Sequence, residues 1–144
     1  MRYKFVRSQD AETYGQTGGD TNVFLATGAD TDGRVSIYDS RLIAGNGAPL
    51  HYHLIDDEIF YIISGRVEFG IDDQVVVAAP GDLVIAGPLV PRRFRALEDS
   101  HMLVVNAPGG PSERFLRDVM TLDQPISAVD RERFAKEYGI HVVE

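Results

Sequence analysis

The chain has no cysteine among its 144 residues. That excludes disulfides, thiol chemistry and any cysteine-based zinc site. It is also short of positive charge. Its 14 Lys and Arg stand against 22 Asp and Glu, a net charge of −8, which argues against nucleic acid or an anionic membrane surface as a partner. No run of 18 apolar residues occurs, so the sequence predicts no membrane span. The first fifteen residues, MRYKFVRSQDAETYG, lack the apolar segment of a secretory signal, and a cytoplasmic protein is expected. Internal repeats and low-complexity segments are missing too. What is left, 44% hydrophobic and 25% charged residues, is an ordinary globular composition. A single domain over residues 1–144, with one sizeable core, is the expectation.

The pattern along the chain is strand, turn, strand. Tyr3 and Phe5 alternate weakly and suggest an edge strand over residues 1–8. Residues 15–21 read as a loop by composition, and residues 28–33 as a turn. An apolar run covers 22–27, and a strand is predicted over 35–43. Later strands fall at 66–71 and 74–79, joined by Asp72-Asp73, and at 83–86 before Gly87-Pro88. Residues 92–97 and 101–106 are expected to form a hairpin about Glu98-Asp99-Ser100. Short strands spaced in this way are the signature of an all-β sandwich or barrel, with a core at about 22–107. After Pro111 the period lengthens towards 3.6. Ser112 is positioned to cap a helix carrying Phe115, Leu116, Val119 and Met120. A second helix is predicted over 131–138, with Asp130 as N-cap and Gly139 ending it. Phe134 and Tyr138, four apart, share a face that packs back on the barrel, and residues 138–143 offer a further edge strand.

The stretch Gly45 to Gly65, GNGAPLHYHLIDDEIFYIISG, carries the chemistry. His51 and His53 are two apart, so in a strand both imidazoles leave the same face. Glu58 follows the Asp56-Asp57 turn signal and opens the apolar run Ile59 to Ile63, which reads as the next antiparallel strand. Folding that hairpin brings a carboxylate beside two imidazoles. This mixed nitrogen and oxygen set suits one divalent transition ion: iron, nickel, manganese, copper or zinc. Burying the three groups with nothing between them would cost several kcal/mol, at about 1–3 kcal/mol for each unsatisfied polar group. A solvated polar hairpin is the competing reading.

The spacing of Gly45, His51, His53, Glu58 and Gly65 resembles, without a gap, the first motif of the cupin family. The resemblance implies a double-stranded β-helix, a jelly-roll barrel with one or two C-terminal helices at about 112–139. It implies a metal in the barrel mouth, held by His51, His53 and Glu58 with a third His from a second motif. The run Pro80 to Pro91, PGDLVIAGPLVP, is similar to that second motif, yet Arg92 stands where the His is expected, Ala96 where an Asn is, and Leu89 where a Gly is. An Arg cannot ligate, and its fixed charge repels a nearby cation.

Strand alternation puts Arg92 and Phe94 on one face and Arg93 and Arg95 on the other. An inward Arg92 either meets a substrate carboxylate or enolate, or pairs with Glu58. His101, at a strand start, suits a surface role. His141 is a weaker candidate for the absent ligand, should the tail fold over the mouth. The Pro-Gly-Gly turn, the helix with Phe115-Leu116 and the closing Tyr138-Gly139-Ile140 are similar to small quercetin-dioxygenase-like cupins. By that resemblance the chain is expected to be a metal-dependent enzyme for an aromatic or polyketide-type small molecule, with Glu58 and Arg92 as catalytic residues and a homodimeric state. A non-redox polyketide cyclase and a non-catalytic ligand binder remain as alternatives.

Overall fold

A computed structural model describes residues 2–15 and 19–143. Its strands are β1 (Glu12–Gly15), β2 (Thr21–Ala26), β3 (Ser36–Leu42), β4 (Gly47–His53), β5 (Asp57–Ser64), β6 (Val67–Ile71), β7 (Gln74–Ala78), β8 (Leu83–Ala86), β9 (Arg92–Ala96), β10 (Ser100–Ala107) and β11 (Ile140–Val142). They form two antiparallel sheets, in the orders β1-β2-β3-β10-β5-β8 and β11-β4-β9-β6-β7. This is a jelly-roll barrel. Among the described residues no helix is long and apolar enough to cross a membrane.

Period-two patterning builds the sheets. β10 alternates strictly between buried and half-buried positions, and β3 nearly so. The inward residues of both sheets meet in one core, where Phe60 of β5 lies with ring centroids 5.0 Å from Phe69 of β6 and 5.5 Å from Phe94 of β9. Each such contact adds about 0.5–1.5 kcal/mol beyond area burial. This aromatic group fixes the spacing of the sheets beneath the functional end.

Two expected hairpins are not hairpins. β4 and β5 lie in opposite sheets, because both edges of β4 are taken by β9 and β11. Likewise β9 and β10 belong to different sheets, since β10 is flanked by β3 and β5. In each case the connection turns a corner of the barrel, so His51 and His53 face Glu58 across the interior. The N-terminal strand is also displaced. Residues 2–7 pair with no strand and leave Tyr3 and Phe5 at 90% and 74% exposure. Arg2 and Lys4 anchor them instead, by ion pairs with Asp32 and Asp30. The first strand is β1. Of the loop expected over 15–21, residues 16–18 lie outside the described residues.

Residues 28–31 form a single 3-10 turn closed by a capping box between Thr27 and Asp30. Its Gly28 N–H donates to Glu113 at 3.0 Å, tying this turn to helix α1 (Pro111–Val119). Gly110 precedes α1 at φ 116° and Pro111 takes the first helical position, so Ser112 is not the cap. Helix α2 (Ala128–Tyr138) starts earlier than expected. Its N-cap is Ser127, and Asp130 completes a capping box three residues on. Gly139, left-handed at φ 66°, ends it as predicted. Phe134 is fully buried edge-on against Phe115, ring centroids 5.0 Å apart. β11 then pairs with β4, as the expected edge strand.

Candidate metal centre

The inward face of β4 presents His51 and His53, 6% and 2% exposed, while Tyr52 points the other way. Opposite them β5 presents Glu58, 5% exposed. One ligand atom from each residue lies within 4.8 Å of the others. His51 Nε2 is 4.0 Å and His53 Nε2 3.7 Å from Glu58 Oε1.

The partners of the other ring nitrogens decide which lone pairs are free. His51 Nδ1 lies 2.7 Å from the Pro49 carbonyl oxygen, which can only accept, so Nδ1 carries the proton and Nε2 the lone pair. His53 Nδ1 is 3.0 Å from both oxygens of Asp56, which fixes the same tautomer. Burial pushes the His51 imidazole down to about 4, helped by His53 and opposed by Glu58, so the ring is neutral near pH 7. Neutral imidazoles with bare Nε2 atoms are the form that binds metal.

Asp56 is the hub behind the three candidate ligands. Besides His53 it accepts from Asn106 Nδ2 at 2.8 Å and from Ser112 Oγ at 2.8 Å. Burial would raise its carboxyl, yet the His53, Ser112 and Asn106 hydrogen bonds prevail and hold it below the usual carboxylate range. Asn106 also donates to Glu58 Oε2 at 3.1 Å, leaving Oε1 turned towards the histidines. A carboxylate behind a ligating His sets tautomer and ring orientation. One side chain here serves both β4 and α1.

Two buried atoms of the triad, His53 Nε2 and Glu58 Oε1, have no hydrogen-bond partner among the described residues. Ligands at about 2.1 Å from a tetrahedral or octahedral ion stand roughly 3.0–3.4 Å apart, so the observed 3.7 and 4.0 Å, and the histidine pair within 4.8 Å, close onto an ion by side-chain shifts of about an ångström. The three residues fit a divalent ion.

Arg92 pairs in register with His51 and is fully buried, facing inward with Phe94 as alternation predicts. Its Nη2 donates to the carbonyls of Ala86 at 2.9 Å and Gly87 at 3.2 Å, and its Nε is 4.0 Å from Glu58 Oε1. Of the two expected arrangements, the pairing with Glu58 is the one present, and Arg92 does not line the cavity. The remaining histidines stay away. His101 meets Asp39 at 2.5 Å on the outer surface. His141, opposite Tyr52 in the β11–β4 register, stacks on its ring at 4.7 Å and faces outward, so it supplies no ligand.

The triad opens into a cavity of about 230 Å³. Its walls are mainly apolar, with Leu42 and Phe94 from the barrel and Phe115, Leu116 and Met120 from the helical segment. Sequence reasoning missed Asp56, Asn106 and Ser112 as site residues. Asp56, three residues after His53, could have been suspected as its orienting partner. Asn106 and Ser112 reach the site only through the barrel register.

Residues 39–108 match the family described as the Cupin domain. Among curated proteins no significant sequence match is found. Solved structures are similar in fold. KdgF from Halomonas sp. has a TM-score of 0.68 at 19% identity, over 77% of this chain and 98% of that one. An RmlC-like cupin from Shewanella frigidimarina NCIMB 400 has 0.65 at 16%, over 74% and 92%. The nucleoside dehydratase Pac13, of Streptomyces, has 0.63 at 16%, over 78% and 88%. At these identities the likeness is one of fold.

Proposed function

Starting from the chain's membership of the cupin superfamily, carried by its fold and by the match over residues 39–108, we propose that it is a metal-dependent enzyme for a small oxygen-bearing organic substrate. The carrying observation is the convergence of His51 Nε2, His53 Nε2 and Glu58 Oε1 at the floor of a largely apolar cavity. A divalent transition ion held by these three would act as a Lewis acid on a carbonyl, enol or phenol oxygen.

The chain's own residues do the rest. Asp56 holds the His53 ring through Nδ1, and Pro49 does the same for His51. Asn106 engages Glu58 Oε2, so Oε1 is the atom turned towards the two Nε2 atoms, where it would ligate the ion. Arg92 adds one positive charge behind Glu58. Counting Asp56 and Glu58 as −2 and Arg92 as +1, a divalent ion brings the cluster to +1. Such a site favours an anionic ligand or a developing enolate.

The cavity limits the substrate. Its volume of about 230 Å³ lies below the roughly 300–1,000 Å³ of sites for drug-sized ligands, which favours a one-ring aromatic or a short polyketide over a fused flavonol. The apolar walls contributed by α1 keep water from the substrate body. Oxygen uptake separates a dioxygenase from a cyclase. Metal-loaded protein is incubated with catechols and 1,3-diketones, and both oxygen and substrate are followed. Metal-dependent consumption of a one-ring compound, abolished in His51→Ala, is the expected result. Consumption that persists without metal refutes it, and binding without turnover would make the chain a ligand carrier.

A further inference from the structure

Most of the cavity wall is apolar, but three polar side chains interrupt it away from the triad: Asp20, which accepts from Ile43 N–H and Asn46 Nδ2, and two that lack such partners. Tyr38 of β3 and Asn22 of β2 both point inward, 9% and 6% exposed. The Tyr38 hydroxyl has no hydrogen-bond partner among the described residues; its ring packs on Phe24. Among the described residues the Asn22 carboxamide has a single hydrogen-bond contact, from Nδ2 to the Met120 sulfur at 3.5 Å, a weak acceptor. Both groups line the cavity and neither is a sealed, unpaired polar atom, so each is open to a ligand there. Among the described residues neither serves the fold by a strong hydrogen bond.

The sheet register orders them along the cavity. Glu58 stands opposite Asn106, which stands opposite Ser36. Tyr38 is two residues further along β3, and Asn22 pairs with Ser40, two further again. With strands about 4.8 Å apart and a rise of about 3.4 Å per residue, the Cα atoms of Tyr38 and Asn22 lie roughly 12 and 20 Å from that of Glu58. The polar stations therefore run in a line: triad, phenol, carboxamide.

We infer that Tyr38 and Asn22 are specificity-determining residues that read hydrogen-bonding groups on the substrate body. This rests on the proposed metal site, which anchors one end of the substrate. Apolar pockets orient ligands through a few placed polar groups. The substrate class is then an elongated one-ring or short polyketide compound with oxygen donors at the triad, an acceptor such as a carbonyl beside Tyr38, and a further polar group near Asn22. Burial keeps the Tyr38 phenol protonated well above pH 10, so it donates. Asn22 can donate or accept.

The test uses cobalt(II)-loaded protein under argon, whose visible absorption reports a change of donor atoms. Catechol occupies the triad end only. 3,4-Dihydroxyacetophenone adds a carbonyl on the ring, and 4-(3,4-dihydroxyphenyl)-2-butanone places one further out. Tyr38→Phe is expected to weaken binding of the acetophenone about tenfold while leaving catechol within twofold. Asn22→Leu is expected to do the same for the butanone. Both variants should melt no lower than wild type, since no strong protein hydrogen bond is lost. Equal effects on catechol and its acyl derivatives, no effect on either, or a marked fall in melting temperature would each overturn the inference. If cobalt binds and no probe does, the inference falls and the metal centre stands. If cobalt itself does not bind, the proposed function fails and takes the inference with it.

Discussion

Replacing Asp56 by Asn probes the centre without touching a ligand. Asp56 is 2% exposed and accepts from His53, Asn106 and Ser112 at 3.0, 2.8 and 2.8 Å. Ala at this position would strand all three donors, at about 1–3 kcal/mol each. That sum rivals the whole stability of a domain, about 5–15 kcal/mol, so an unfolded variant would reveal nothing. Asn keeps the shape and one acceptor oxygen, and its amide turns a donor towards at least one of the three. The expected loss is about 2 kcal/mol, near 6 °C in melting temperature for a chain of this size. Metal affinity should fall 10–100-fold, the usual effect of losing the orienting partner of a ligating His. Competition with a chromophoric chelator measures the affinity, and circular dichroism follows the melt. A folded variant that binds metal within twofold of wild type would refute the role given to Asp56.

Other expectations follow from the same geometry. Arg92→His removes a positive charge whose Nε is 4.0 Å from Glu58 Oε1, an interaction of about 4 kcal/mol at an effective dielectric near 20. It should raise metal affinity at least tenfold and lower turnover; weaker metal binding would show that Arg92 supports Glu58 more than it repels a cation. In the metal-free protein, burial holds His51 at about 4 against 6.5 when unfolded, so the unfolded state takes up a proton as pH falls between these values. Stability is fully present above about 6.5 and should drop by about 3 kcal/mol by pH 4, read as a falling melting temperature; a flat profile that His51→Gln does not alter contradicts this. Tyr61 and Ile63 of β5, with Leu83 and Ile85 of the edge strand β8, expose apolar side chains at 42–57% on the outer face of the larger sheet. A homodimer covering them is expected, with a light-scattering mass near twice 15.9 kDa, and a monomeric mass at micromolar concentration argues against it.

Much of this was legible in the sequence because it is local. Period-two alternation marks β3, β4, β5 and β6, and the His51-x-His53 spacing puts two imidazoles on one face without tertiary information. The same alternation turned Arg92 inward. What failed was pairing. A short connection between two strands reads as a hairpin, and sequence alone does not show that β9 and β11 already occupy both edges of β4. The convergence of the three side chains survived this error, since His51 and His53 meet Glu58 either across a hairpin or across a barrel. Asn106 and Ser112 are 50 and 56 residues from Asp56, and no local pattern connects them. Ser112 was misread for a physical reason: Ser is a common N-cap, but Pro111 had already claimed the first helical position. At the N-terminus, Tyr3 and Phe5 alternate like a strand and yet find no sheet edge to join.

Metal content tests most directly whether His51, His53 and Glu58 hold a metal. Protein freed of metal and dialysed separately against iron(II), manganese, nickel and zinc is analysed by elemental mass spectrometry, beside the variant carrying His51→Ala and His53→Ala. About one ion per chain is expected for at least one metal in wild type, and none retained by the variant. Wild-type protein that retains no stoichiometric metal under any of these conditions would contradict this expectation.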